Sequence, residues 1–186
     1  YEYDDDVVLP TSGIIINANG ASSSLSSNSS DFRADINVNS TGVELNFKDV
    51  TAYSEIDVAS GASVVNAVIG TLEDSLILRK TATFDLASGS AGDSVDFAMT
   101  VFADSAATFD NNGQVVRFLA DSNTYALQVE FGTNSATGTP SFIGDGYYRF
   151  DTDQSIDANR VSFANVDFYG STSTLVSDFN VTNALV

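Results

Sequence analysis

The sequence predicts an all-β chain folded as an antiparallel β-sandwich of the jelly-roll type. Two observations predict it: apolar residues alternate with polar ones along many short segments, and clusters of Gly, Ser, Asn and Asp separate those segments roughly every 8–12 residues. The clearest alternation runs through Tyr125, Leu127, Val129 and Phe131. Together these signals predict about ten short strands that each bury one face.

The remaining predicted strands follow from the same period of two. Apolar residues alternate in the segments 36–38, 43–47, 76–78, 84–86, 95–101, 116–118 and 175–181. Near the C-terminus, the pair Val161 and Phe163 is out of phase with the pair Val166 and Phe168. An odd offset of this kind indicates a β-bulge between two phases of one strand.

One segment has a competing interpretation. Val65, Val68, Ile69, Leu72 and Leu76 fit the apolar stripe of a helix, so a short helix near residues 63–73 is an alternative to a strand. The β-branched residues and Gly70 weigh against the helix, because both lower helix propensity. A strand or crossing loop is therefore preferred there.

Charge and composition exclude several classes of function. The formal net charge of −18 makes binding to a phosphate backbone unfavourable, so we expect no nucleic-acid partner. No apolar run is long enough for a membrane-spanning helix, so we expect no membrane span. The chain has no His and no Cys, which removes the usual general base and thiolate chemistry. We therefore expect no enzymatic activity.

The same composition favours a secreted protein at the cell surface or outside the cell. Asp, Asn, Ser and Thr dominate the polar residues, and they suit turns and oxygen-based cation sites. The sequence starts at Tyr1 with neither an initiator Met nor an export signal, as expected for a processed extracellular product. Copies of so acidic a chain would need salt, cations or locally neutral patches to associate.

The N-terminal region predicts how such copies associate. Residues 1–19 are interpreted as an extension that contains a candidate donor strand, residues 20–31 as a Ser-rich flexible linker, and residues 32–186 as the sandwich domain. The linker would span about 19 Å as a coil, enough to cross several strands. The apolar residues of the donor segment are Val7, Val8, Leu9, Ile14, Ile15 and Ile16.

Two arrangements of that segment are open. It either completes a sheet in a neighbouring copy by β-strand addition, or it forms an edge strand of its own subunit. The first arrangement, repeated head to tail, produces an open homopolymer. We expect a structural subunit of an extracellular filament, pilus-like fibre or surface layer that polymerises through this segment.

A calcium site is the second candidate feature. Asp151, Asp153, Ser155 and Asp157 occupy alternate positions just after Asp145, and such oxygen ligands suit Ca²⁺. The pattern departs from an EF-hand because Ile156 stands where that loop needs glycine. A looser Ca²⁺ loop is the prediction, and turn residues without a metal are the alternative.

The alternative function is a secreted, Ca²⁺-dependent carbohydrate-binding or adhesive module. Its partners would be glycans, with Tyr147, Tyr148 and Tyr169 as the stacking residues. Separately, N-linked glycosylation motifs begin at Asn28, Asn39 and Asn180. They predict modification only in a host that has the machinery.

Overall fold

The computed structural model shows an all-β chain coiled into a parallel β-solenoid. The structure describes residues 2–3, 14–27, 30–89, 93–99, 101–119, 125–129, 139–151, 154–157, 161–169, 173–175 and 180–186. Every strand pair among them is parallel. The predicted antiparallel sandwich and its jelly-roll topology are therefore wrong, whereas the prediction of an all-β chain is confirmed.

The strands of the described residues are short and follow one another closely. In chain order they are β1 Glu2–Tyr3, β2 Ile15–Ala18, β3 Ser24–Ser27, β4 Asp31–Phe32, β5 Asp35–Val38, β6 Glu44–Ala52, β7 Ile56–Val58, β8 Ser63–Leu72, β9 Leu76–Leu78, β10 Thr83–Leu86, β11 Ser94–Phe97, β12 Val101–Ala103, β13 Thr108–Asp110, β14 Val115–Phe118, β15 Tyr125–Val129, β16 Ser141–Ile143, β17 Tyr148–Phe150, β18 Gln154–Asp157, β19 Ser162–Phe168, β20 Ser173–Leu175 and β21 Asn180–Leu185.

Successive turns of the coil stack in register along two sheets. The eight-stranded sheet has the order β2-β5-β7-β9-β12-β15-β18-β20, so each strand pairs with its counterpart one turn later. A thirteen-stranded sheet forms the rest of the coil wall, and β8 belongs to it. Since Ser63–Leu72 is a strand, the alternative of a short helix near residues 63–73 is wrong. No described helix could cross a membrane.

The core is a set of apolar columns that run along the solenoid axis. In one column Phe84, Phe109, Phe142 and Phe163 are each fully buried, and neighbouring rings lie 5.4, 5.8 and 5.0 Å apart between centroids. A second column has Phe97, Phe118, Phe150 and Phe168, with centroid separations of 6.3, 4.8 and 5.5 Å. In-register parallel pairing places like residues above one another, and aromatic stacking stabilises that register.

One buried tyrosine ties the aromatic columns to the backbone. Tyr148 is fully buried, and its hydroxyl donates to the carbonyl oxygens of Phe109 at 3.0 Å and Ile143 at 2.6 Å. Burial, and secondarily the charge of Asp110, raises the pKa of Tyr148 well above its usual value. The hydroxyl therefore stays protonated and keeps donating.

The odd apolar offset near the C-terminus lies in β19. The register between β19 and β21 shifts between Phe163 and Asn165, and Phe163 to Asp167 are all buried. Asn165 donates from Nδ2 to the carbonyl oxygen of Gly146 at 2.9 Å. The irregularity thus places the Asn165 side chain in the interior, where a carbonyl group of the preceding turn accepts its hydrogen bond.

Candidate assembly interface

Among the residues that the structure describes, each end of the solenoid has a strand edge without a partner strand. We call residues 14–27 the N-terminal turn, and residues 173–175 with 180–186 the C-terminal turn. In the N-terminal turn, β2 pairs with β5 on one side, and no described strand covers its other side. In the C-terminal turn, β20 and β21 each pair only with the turn before them among the residues that the structure describes. Both ends therefore present unpaired backbone groups of parallel strands.

Apolar side chains at both ends are incompletely covered. Ile14, Ile16 and Ala18 of the N-terminal turn pack on the core but stay partly buried, and Ile15 is 55% exposed. At the other end Val181 and Phe168 are partly buried, whereas Leu185 and Val186 are 64% and 69% exposed. Ile16 and Ala18 continue the columns of Ile36 and Val38, and Val181 continues that of Phe163. Ile15 instead lies opposite Asp35 on the outer face.

The two terminal turns are also free of charge. Residues 14–27 contain no Asp, Glu, Lys or Arg, and neither do residues 173–175 or 180–186. The charge of the chain, −18 in total, therefore lies almost entirely elsewhere. In sequence, Asp178 is the one charged residue between Asp167 and the end of the chain. These turns are locally neutral patches of the kind that association of so acidic a chain requires.

Hydrogen bonds between asparagine side chains connect the N-terminal turn to the next turn. Asn37 donates from Nδ2 to Oδ1 of Asn17 at 3.0 Å, and Asn39 donates from Nδ2 to Oδ1 of Asn19, also at 3.0 Å. The four amides lie at equivalent positions of adjacent turns. Each amide pair fixes the register of the first turn on the second without adding charge.

Charged residues form a ladder on the inner turns instead. Asp96, Arg117, Arg149 and Asp167 lie at one register position of four adjacent strands. Arg117 makes a two-pronged ion pair with Asp96, with Nε 2.7 Å from Oδ1, and Arg149 lies 2.7 Å from Oδ2 of Asp167. Opposite charges stabilise the stack between Asp96 and Arg117 and between Arg149 and Asp167, whereas the two arginines are like charges on adjacent turns.

Asp151 belongs to this ladder. Its Oδ2 lies 3.7 Å from Arg117 Nη1, and its Oδ1 lies 3.8 Å from Arg149 Nε. Burial raises the pKa of Asp151, the two arginines lower it, and Asp96 and Asp167 raise it, with a net upward shift. The arginines therefore only partly offset the cost of burying this carboxylate.

Of the other predicted calcium ligands, the structure describes only some, and it gives side-chain surroundings only for Asp145. Asp145 is exposed in the turn between β16 and β17, Ser155 and Asp157 lie in β18, and Asp153 falls outside the described residues. No group of three or more potential metal-ligating residues occurs within the described ranges. Calcium binding by this segment stays a prediction.

One part of the predicted donor segment forms a strand of its own coil, and the other part lies outside the described residues. Ile15 and Ile16 lie in β2, in register with Asp35 and Ile36 of the same chain, and the carbonyl of Ile14 accepts a hydrogen bond from the Asp35 N–H at 3.0 Å. Val7, Val8 and Leu9 lie outside the described residues. Within the predicted linker, β3 pairs with β6.

The glycosylation motifs and tyrosines are dispersed. Asn39 is exposed but uses its amide nitrogen in the ladder to Asn19, Asn180 is exposed at the start of β21, and Asn28 is not described. Tyr148 is a core residue and offers no stacking face. Tyr169 is 73% exposed, and its ring lies 5.1 Å from the guanidinium carbon of Arg149.

A polar groove lies on the outer face of the early turns. It encloses about 370 Å³ and is lined by Asn37, Asn39, Asp57, Ala59, Ser60 and Arg79. Arg79 makes a two-pronged ion pair with Asp57, at 3.0 and 2.8 Å. The groove is not evident from the sequence, because its residues come from three turns and meet only through the register of the coil.

Comparison with known proteins adds no relative. No protein-family model, curated protein or solved structure matches the chain significantly.

Proposed function

We propose that the chain is a self-assembling structural subunit of an extracellular filament, pilus-like fibre or surface layer, in which copies stack end to end. The observation that carries the proposal is the pair of uncharged terminal turns with open strand edges and half-covered apolar residues. Its extracellular setting rests on composition alone, chiefly the predominance of Asp, Asn, Ser and Thr among the polar residues.

Stacking follows from the geometry of a parallel solenoid. Each turn is related to the next by the same small translation, so the first turn of one copy can continue the last turn of another. β2 would pair with β20 of the neighbouring copy in the eight-stranded sheet. This is β-strand addition by the N-terminal segment, with Ile15 and Ile16 as part of the added strand.

The contact would be heterologous and open-ended. The N-terminal turn of one copy meets the C-terminal turn of the next, so the contact repeats without closing and produces a filament. Further burial of Ile16, Ala18 and Val181, together with Leu185 and Val186, would supply the apolar contribution. Because residues 14–27, 173–175 and 180–186 have no charged side chain, they would bring no carboxylates together where they meet.

Charge substitution at the two ends tests this proposal. Asn17→Asp keeps the Oδ1 acceptor that Asn37 uses, and Asn183→Asp alters an exposed position of β21. Together they add one negative charge to each sheet of the junction, at a total cost of about 1 kcal/mol between exposed groups, which would weaken association by roughly fivefold. Sedimentation velocity over a concentration series measures the effect.

The matched control adds the same charge to inner turns. Ser60 and Ser88 are both exposed there, so Ser60→Asp with Ser88→Asp gives an equal net charge without touching either end. We expect this variant to associate like the wild type. Equal weakening by both variants, or a monomeric wild type at every concentration and salt level, would refute end-to-end stacking.

The polar groove favours a second candidate function, glycan binding. Amide, carboxylate and guanidinium groups of Asn37, Asp57 and Arg79 line it, and sugars are recognised by such planar hydrogen-bonding groups. A monomeric protein that binds glycans in a calorimetric titration, with affinity lost in Arg79→Met, would support this function over assembly.

A further inference from the structure

The first strand of the chain occupies one of the edges that stacking needs. β1 pairs parallel with β3, with Glu2 opposite Ser26 and Tyr3 opposite Ser27. β3 pairs with β6 on its other side, so β1 lies on its outward edge, the one facing away from the rest of the coil. In an end-to-end stack, that same edge would receive β21 of the neighbouring copy.

Two strands cannot use one edge at the same time. Each outward N–H and C=O of β3 forms its ladder hydrogen bonds with a single neighbouring strand. At the opposite end of the same sheet, no described strand lies beyond β21. The two described ends therefore differ: a short strand of the same chain covers part of one edge, and no described strand covers the other.

The first strand also brings charge to an uncharged turn. Glu2 lies directly against Ser26 of the N-terminal turn, and Asp4, Asp5 and Asp6 follow it in sequence. A neighbouring copy that approached this edge would meet negative charge only where β1 is paired. A strand of two residues has few ladder hydrogen bonds, so it can be displaced.

We propose that β1 is a displaceable cap on the N-terminal turn, which competes with β21 of an incoming copy and so limits filament growth. The proposal rests on the end-to-end stacking proposed above. It assigns a specific partner to the capped edge, a second copy of this chain. Each backbone hydrogen bond lost or gained would change the association constant by roughly two- to tenfold.

A reversible lock on the cap tests this in the full-length chain. The wild type has no cysteine, so Glu2→Cys with Ser26→Cys creates a single disulfide between residues that are directly opposite on adjacent strands. Adjacent paired strands have Cα separations within the range that disulfides bridge. Thr83→Cys with Thr108→Cys, an opposed pair on inner turns, is the control for oxidation. Assembly is followed by light scattering and sedimentation.

The cap predicts that the oxidised lock assembles at least about tenfold more weakly than its reduced form, whereas the control pair is unaffected by oxidation. A second variant, Glu2→Pro with Tyr3→Pro, removes both N–H groups of β1 and should assemble more readily than the wild type. Equal assembly of the oxidised and reduced lock would overturn the cap and leave stacking intact. Absence of assembly in every form, the proline variant included, would overturn the stacking itself.

Discussion

Phe109 and Phe142 stack with ring centroids 5.8 Å apart and ring planes 14° from parallel, although residues 110–141 lie between them in sequence. Their strands, β13 and β16, are directly paired with these two residues in register. The long intervening segment therefore leaves the stacking of the core undisturbed. The aromatic columns, rather than a constant repeat length, fix the register of the coil.

The first prediction concerns that column. Phe109→Ala should destabilise the chain by about 3–5 kcal/mol, because it leaves a cavity between Phe84 and Phe142. Ile143→Ala, in the adjacent strand but on an outward side chain that is 42% exposed, should cost less than about 1 kcal/mol. Urea unfolding followed by circular dichroism measures both. Similar costs for the two substitutions would mean that the column does not organise the core.

The second prediction concerns a glycine that closely approaches the turn below it. A Cβ at Gly144 would clash with Oδ1 of Asn111 and lie 2.6 Å from Oδ1 of Asp110, and the φ of this residue is +107°. Asn111 cannot move easily, since its Oδ1 accepts the N–H groups of Gly113 and Gly146. Gly144→Ala should therefore cost more than the roughly 1 kcal/mol of backbone strain alone.

Gly61 provides the matched control for that substitution. Its φ is +73°, but a Cβ there would meet nothing within 4 Å. Gly61→Ala should thus show the strain alone, and the thermal midpoint of the Gly144 variant should be lower. If the two variants unfold at the same temperature, the close approach at Gly144 has no energetic consequence.

The third prediction is that the charged ladder contributes more to the free energy of unfolding than an exposed ion pair does. Arg117→Ala removes the partner of Asp96 and Asp151, whose side chains are only 16% and 15% exposed. Loss of charge-assisted bonds to such groups should cost about 1.5–3 kcal/mol. Arg33→Ala removes a pair in which both side chains are more exposed, and should cost less than about 1 kcal/mol. A larger loss of unfolding free energy for Arg33 than for Arg117 would contradict this ranking.

The fourth prediction is a pH dependence at Asp85, which lies opposite Asp110 on the next turn. Burial, and then the charge of Asp110, raises the pKa of Asp85 above 3.8. The folded chain therefore binds this proton more tightly than the unfolded chain. Stability falls as the pH rises from the pKa of Asp85 in the unfolded chain to its higher pKa in the folded chain. Asp85→Asn abolishes this loss.

Thermal unfolding of Asp85→Asn at two pH values tests the sign. The variant should unfold at a higher temperature than the wild type at about pH 7, and at nearly the same temperature at about pH 3, where the wild-type carboxyl is protonated in both states. Glu73→Gln, at an exposed position, is a control for removing one carboxylate from an acidic chain. A lower midpoint for Asp85→Asn at neutral pH would show that the carboxylate is stabilising.

Local structure could be predicted from the sequence better than topology. The period of two correctly identified strands such as Ser94–Phe97 and Val115–Phe118, because one face of each is buried. A solenoid strand and a sandwich strand share that period, so it does not separate them. The separating signal is the recurrence of apolar residues at one register position, 20 residues apart from Ile36 to Ile56 and Leu76, and 25 residues further on at Val101. Inspection of single segments does not show this repeat, because it spans several of them.

Part of the candidate interface could be predicted from the sequence. The apolar segment at Ile14 to Ile16 was identified as a candidate interaction strand, and neutral contact patches were expected on physical grounds. That two uncharged stretches form opposite ends of one coil follows only from the topology. The grouping of Asp151 with Arg117 and Arg149 has the same origin, since these residues lie on adjacent turns.

Electron cryo-microscopy of the assembled protein tests end-to-end stacking most directly. The account predicts filaments in which strands run perpendicular to the axis and the spacing of about 4.8 Å between turns continues unbroken across the junction, with β2 of one copy beside β20 of the next. Filaments in which copies meet through their charged sides, with the ends of each coil left unpaired, would contradict it.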